Sequence, residues 1–215
     1  MMNALIGKKL GMTQVFDQAG AQVPVTVIQA GPCVVVQRKT AEKDGYEAVQ
    51  LGFGEQKESR LTKPVAGHFK KGGISPRRVL QEVRLEGEKD ESKVGDVFAA
   101  DIFEGIGFVD VIATTKGRGF QGVVRRHGMK GGRGSHGSGN HRKPGSIGMR
   151  EHPGRIFKNK RMPGQMGNTQ VTTQNLELVQ VRKDDNLLLV RGSVPGPKGG
   201  IILVRKSIKK AIKAS

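Results

Sequence analysis

The residues of this chain that could do chemistry are cations and glycines crowded into one stretch. Thirteen of its 37 Lys and Arg residues fall in 116–170: Lys116, Arg118, Arg125, Arg126, Lys130, Arg133, Arg142, Lys143, Arg150, Arg155, Lys158, Lys160 and Arg161. The stretch also holds four of the five histidines (His127, His136, His141, His152) and fourteen of the 32 glycines, but one acidic residue, Glu151. Thirteen cations against one carboxylate leave +12. The fifteen basic and fifteen acidic side chains of 1–115 cancel, and 171–215 adds +6, giving the chain's +18. An Arg fork holds phosphate oxygens in pairs and Lys supplies point charge. Glycine lets the backbone lie against a phosphate or sugar surface. So dense a block repels itself, and it implies a partner rich in negative charge, with nucleic-acid phosphate the prime candidate.

Other chemistries fit these residues poorly. Gly117-Arg118-Gly119-Phe120-Gln121-Gly122 matches the dinucleotide pattern G-x-G-x-x-G. That site also needs a helix behind the glycines and an acidic residue about twenty positions on, and no carboxylate follows before Glu151. Arg118-Gly119-Phe120 opens like an RNA-recognition-motif signature, which then requires a small residue and a second aromatic where Gln121 and Gly122 stand. With aromatics at 4% there is no base-stacking platform of the usual kind. His136 and His141 sit in a Ser/Gly-rich segment without a cysteine or carboxylate beside them, so stacking on or bonding to RNA suits the histidines better than zinc. No Ser–His–acid set has positional logic, and Glu151 alone does not support acid–base catalysis. No metal, cofactor, small-molecule substrate or enzymatic activity is expected.

The elements that must carry the basic stretch lie on either side of it. Runs of β-branched residues at 23–30, 34–38, 47–53, 79–85, 94–99 and 109–114 read as strands bounded by Gly, Pro or Asp turns. Residues 63–71 place Pro64 near a helix start and Gly72-Gly73 beyond its end. Strands resume at Val171, with a hairpin over 176–190 and a last strand at 201–204, followed by a basic tail, 205–213, that could be helical. Phe120, Val123 and Val124 could cap a short helix. Many short strands with little helix point to an antiparallel barrel or sandwich built from both ends of the chain. Residues 116–170 form a long Gly-rich loop that Pro144, Pro153 and Pro163 stiffen and Ile147, Met149, Ile156, Phe157 and Met162 anchor. The single cysteine, Cys33, excludes an internal disulfide and reads as a small buried strand residue. The apolar run before Lys8 and Lys9 is too short for a signal-peptide core, and no run approaches a membrane span. A cytosolic, soluble protein is expected.

Seven segments in order resemble the bacterial-type large-subunit ribosomal proteins of the L-three family. They are I-G-K-K-L-G-M-T at 6–13, P-V-T-V-I at 24–28, K-P-V-A-G-H-F at 63–69 and T-T-K-G-R-G-F-Q-G at 114–122. H-R-K-P-G-S-I-G at 141–148, M-P-G-Q-M-G at 162–167 and L-L-L-V-R-G-S-V-P-G-P-K-G at 187–199 complete the series. The resemblance implies a mainly β fold: a β-barrel of the translation-protein type formed by 1–115 and 171–215, with a small α+β insertion near 60–95 and a long irregular extension, 116–170. It implies a cytoplasmic ribosomal role, with direct binding to large-subunit rRNA near its 3′ end early in assembly. The extension would reach toward the peptidyl-transferase centre, with ribosomal proteins L-fourteen and L-nineteen as neighbours. Lys8 and Lys9 would join the thirteen cations and four histidines of the extension in holding RNA. Lys116 to Arg126 would be the root, His141 to Arg155 the tip region and Lys158 to Met166 the return arm. Two departures stand out. Many relatives carry a side-chain-methylated Gln after G-S-I-G where this chain has Met149, and often a Trp where Arg126-His127-Gly128 stands.

Overall fold

The computed structural model describes residues 2–85 and 92–210. Its elements, in chain order, are β1 (Ala4–Phe16), β2 (Gln22–Ala30), β3 (Cys33–Lys39), α1 (Ala41–Asp44), β4 (Ala48–Glu55), α2 (Lys63–Gly72), β5 (Arg77–Arg84) and β6 (Val97–Phe98). They continue as β7 (Phe108–Thr114), β8 (Phe120–Gln121), α3 (Val123–His127), β9 (Gly164–Gln165), β10 (Gln170–Arg182), β11 (Leu187–Arg191) and β12 (Ile201–Lys206). The fold is mainly β. Two compact units result, one of Met1–Thr114 with Gln170–Ser215 and one of Thr115–Thr169.

In the first unit six strands close into an antiparallel barrel in the order β1-β12-β7-β10-β11-β2. Strand residues two apart share one face, although β1, β11 and β12 also bury consecutive residues. Val109, Val111 and Ala113 on β7, Leu188 and Val190 on β11, Ile202 and Val204 on β12, and Ile28 and Ala30 on β2 all enter one apolar cluster. Registers such as Leu5↔Val204 and Val204↔Val111 bring these residues side by side across strands. Each fully buried Val, Leu or Ile contributes roughly 1.5–3 kcal/mol. Of the barrel's bulged seams, the one between β10 and β7 is pinned chemically. Where β10 slips register between Thr173 and Leu176, Asn175 turns to φ 56 and its N–H donates to the buried Asp110 Oδ1 at 2.9 Å. Arg205 Nε stands 3.5 Å from the other carboxylate oxygen, Oδ2, an ion pair in which neither facing atom makes a hydrogen bond.

A second sheet, ordered β5-β4-β3-β6, forms the α+β part of this unit. It begins earlier than the expected 60–95. β2 ends at Ala30, the chain turns at Gly31 with φ +82, and β3 then pairs with β4 and β6 instead of with the barrel. Helix α2 starts with Pro64 in its first turn and ends at Gly73 in the left-handed conformation, as its sequence signals require. It buries Phe69, while His68 Nε2–H donates to Gln50 Oε1 at 2.7 Å. Cys33 is buried with its thiol donating to the Ile6 carbonyl at 3.3 Å, and burial pushes its pKa up to about 12. The expected strand at 94–99 shrinks to the two residues of β6. Gly95 adopts φ +99, and a turn bonds Asp96 N–H to the Lys93 carbonyl at 3.2 Å. Of the expected C-terminal helix, Arg205 and Lys206 belong to β12, residues 208–210 form bends, and 211–213 lie outside the described residues, as do 86–91 of the insertion.

On this sheet Glu82 accepts from Lys39 Nζ at 2.8 Å and from Tyr46 Oη at 2.8 Å. The Lys39 bond first, and then the Tyr46 bond, hold its carboxyl below the usual range. A depressed folded pKa stabilises the fold above the unfolded value of about 4.3 and loses that contribution as pH falls through the folded one. The urea midpoint of Glu82→Gln should therefore trail the wild type most at pH 7, and the gap should close toward pH 3. A gap that is constant across that range would show that the carboxylate's charge is not what matters.

Candidate nucleic-acid interface

The second unit, Thr115–Thr169, has almost no apolar core, so backbone ladders and glycine contacts hold it. At its root Thr115 N–H donates to the Thr169 carbonyl at 2.9 Å, and Thr169 N–H to Thr115 Oγ1 at 3.3 Å. Arg118 N–H then donates to the Met166 carbonyl at 2.9 Å, and Met166 N–H to the Gly119 carbonyl at 3.0 Å. The ladder continues as β8 against β9, with Phe120 opposite Gln165 and Gln121 opposite Gly164. The Gln121 side-chain amide also donates to the Arg118 carbonyl. The run 117–122 is thus one arm of a ribbon, not the phosphate loop of a strand–helix unit. Gly167 is required in the other arm. It sits at φ +73, where a Cβ would meet the Lys116 carbonyl and stand 3.1 Å from Gly117 Cα.

Helix α3 follows the ribbon and folds back on it. Val123 is buried, and Gly128 ends the helix at φ 67. Arg126 Nη1 donates to the Met162 carbonyl at 2.7 Å, and His127 Nε2–H donates to the same oxygen at 3.0 Å. The guanidinium lies so close to Gly164 that a Cβ there would come within 2.6 Å of Nη1. A further loop closes where Gly132 N–H donates to the His141 carbonyl at 3.1 Å. There His141 Nδ1–H donates to the Arg133 carbonyl at 2.9 Å, while the residue stays exposed. Among residues 145–156, Ser146 Oγ donates to the Gly148 carbonyl at 3.0 Å.

The predicted RNA-binding residues fall into three states. Lys116, Arg118, Arg125, Lys130, Arg133, His136, His141, Arg142, Lys143, Arg150, His152, Arg155, Lys158, Lys160 and Arg161 are exposed. Arg126 and His127 are half-buried and already hold the return arm through Met162. In the first unit Lys8 is exposed, whereas Lys9 Nζ donates to the Val194 carbonyl at 2.6 Å and so fastens the loop after β11. The structure gives Lys9, Arg126 and His127 architectural bonds that residue type alone did not reveal. Among the described residues, every ion pair lies in the first unit. The cations of Thr115–Thr169 are therefore not neutralised by any carboxylate among the described residues. No three His, Cys, Asp or Glu residues gather as a metal site among the described residues, and no described helix is long and apolar enough to cross a membrane. Sequence reasoning passed over Phe120 as a helix cap. Its 77% exposure marks it out, and the signal available was an aromatic between Gly119 and Gln121 in a segment of net +12.

The family model described as ribosomal protein L3 matches residues 78–187. The chain is 55% identical over 205 residues to the large ribosomal subunit protein uL3 of Heliobacterium modesticaldum, covering 95% of this chain and 97% of that one. The chain belongs to the ribosomal protein L3 family. The protein of the same name from Geobacter sulfurreducens is 52% identical over 209 residues, covering 97% of this chain and 99% of its own length. That of Pelotomaculum thermopropionicum is 54% identical with the same coverage. The matched family segment spans β5 to the start of β11 and so contains the whole of Thr115–Thr169. The exposed cations of that unit therefore lie within the matched segment.

Proposed function

We propose that this chain binds large-subunit rRNA directly, with residues 116–170 buried in folded RNA and the six-stranded barrel unit lying on the RNA surface. As a member of its family the chain is a structural constituent of the large subunit of the cytoplasmic ribosome and not an enzyme. The resemblance extends the reading to early assembly near the rRNA 3′ end, to an approach toward the peptidyl-transferase centre, and to neighbours L-fourteen and L-nineteen. One observation carries it: fifteen exposed cationic or imidazole side chains stand in a unit whose Lys and Arg have no ion-pair partner among the described residues. Such a unit is electrostatically unfavourable alone and is stabilised by releasing counterions from a polyanion.

Filter binding of the full chain to large-subunit rRNA across a KCl series tests this. If about ten phosphates are neutralised, log K should fall against log salt with a slope of roughly −7 to −9. Folded rRNA should also outcompete random duplex. A slope near −2, or equal competition by any duplex, would defeat the reading.

A further inference from the structure

The aromatic side chains of Thr115–Thr169 are Phe120 and Phe157, and both face solvent, at 77% and 57% exposure. In the other unit Phe69 and Phe103 are fully buried, while Phe16 is exposed. Phe120 is the most exposed large apolar side chain among the described residues. It does not sit on a loose loop. It belongs to β8, which the ladder with β9 and the two bonds between Arg118, Gly119 and Met166 hold in place. Successive strand residues face opposite sides. On the side of the ribbon that Gln121 and Gly164 share, the Arg126 guanidinium, bonded to Met162, packs on Gly164. The other side presents Phe120 directly opposite Gln165, close enough across the strands for both to touch one flat ligand. Lys116, Arg118 and Arg125 lie exposed within five residues of the ring.

We propose that Phe120 is a single-ring ledge on which one unpaired nucleobase stacks, with the Gln165 carboxamide beside it to bond the base edge. Arg118 and Lys116 then hold phosphates flanking that nucleotide. This deepens the rRNA-binding reading and rests on it. The charge around the ring selects the occupant. The core of a protein–protein contact is depleted of charge, and docking an apolar protein surface here would strand Arg118 and Lys116 without water. RNA supplies a flat apolar face and anionic oxygens together. The base must be unpaired, because the grooves of an A-form helix do not admit a ring, whereas loops and bulges expose base faces. A sheet of the RNA-recognition type uses two or three rings, so the chain's few aromatics argue against that platform but not against one ledge.

The test uses the full chain and a large-subunit rRNA transcript at fixed salt. Phe120→Ala should weaken binding about tenfold, in keeping with the loss of one stacked base. Phe120→Leu, which keeps apolar volume but lacks a π face, should lose as much, while Phe120→Trp should stay within about threefold of wild type. The salt slope should be unchanged throughout, and the barrel's thermal transition should stay in place. Zero-length ultraviolet crosslinking should put a nucleotide adduct on the tryptic peptide 119–125. Wild-type affinity in Phe120→Ala would overturn the ledge, and so would full rescue by leucine, which would indicate a neighbouring protein or plain apolar packing. Neither result touches the wider reading, which fails separately if the wild type itself shows a shallow salt slope.

Discussion

Gly7→Val should lower the melting temperature of the barrel by on the order of 10 °C. Gly7 lies in β1 between two partners, facing Ala30 of β2 on one side and Ile202 of β12 on the other. A Cβ built there stands 2.6 Å from the Gln29 carbonyl oxygen and 3.1 Å from Ile28 Cγ2. Neither obstacle is the free end of a flexible side chain. In an open sheet β1 could shift outward, but here it is hydrogen-bonded on both edges of a closed cylinder. The neighbouring Ile6 carbonyl also accepts from Gly31 N–H at 3.1 Å, so movement would break the turn that leads into β3. Overpacking of this kind costs about 3 kcal/mol, and valine's better strand propensity returns about 1 kcal/mol at most. A net change of a few kcal/mol is a large share of a typical 5–15 kcal/mol stability, and each kcal/mol moves the transition by about 2–4 °C at this size. Gly11→Ala is the control. Nothing lies within 4 Å of a Cβ at Gly11, so its melting curve should match the wild type within about 0.5 kcal/mol. Equal melting temperatures for wild type and Gly7→Val would mean that β1 does not hold this register.

Gly7 also shows why part of the barrel escaped sequence reading. Residues 109–114 and 187–190 are strands that burial alone explains, and an apolar run reports them directly. β1 is as long as β10, at 13 residues each, yet its Gly7, Lys8, Lys9 and Gly11 interrupt any period-two pattern. Each interruption has a cause outside the strand. Gly7 admits the β2 backbone, Lys9 reaches the Val194 carbonyl, and Gly11 marks the register shift between Lys9 and Gly11. Such causes are long-range contacts, which local composition does not encode. The opposite error occurred at 94–99, where β-branched residues suggested a strand that Gly95 and the Asp96 turn cut to two residues. In the basic unit, charge and exposure were legible because they depend on residue type. The ribbon was not, since strands of two residues leave no pattern, and neither were the bonds that occupy Arg126 and His127.

That division between cations held by the fold and cations offered outward sets the second large effect. Arg142 and Lys143 are exposed and make no ion pair among the described residues, and they follow His141, whose backbone and ring close the loop from Gly132. Arg142→Glu with Lys143→Glu should weaken rRNA binding at physiological salt on the order of a hundredfold and flatten the salt slope by about 2, because two phosphate contacts become repulsions. The barrel's thermal transition should not move, since neither side chain belongs to its core cluster. The contrasting variant is Arg126→Glu. Its guanidinium is bonded to Met162 and packed on Gly164, so reversal there should loosen the ribbon itself and expose the 116–126 arm to limited proteolysis before RNA is added. The Arg142/Lys143 pair should leave that proteolytic pattern as in the wild type. If both variants gave the same cleavage, or if the double reversal bound rRNA as tightly as the parent, the exposed cations would not be the surface that meets the phosphates.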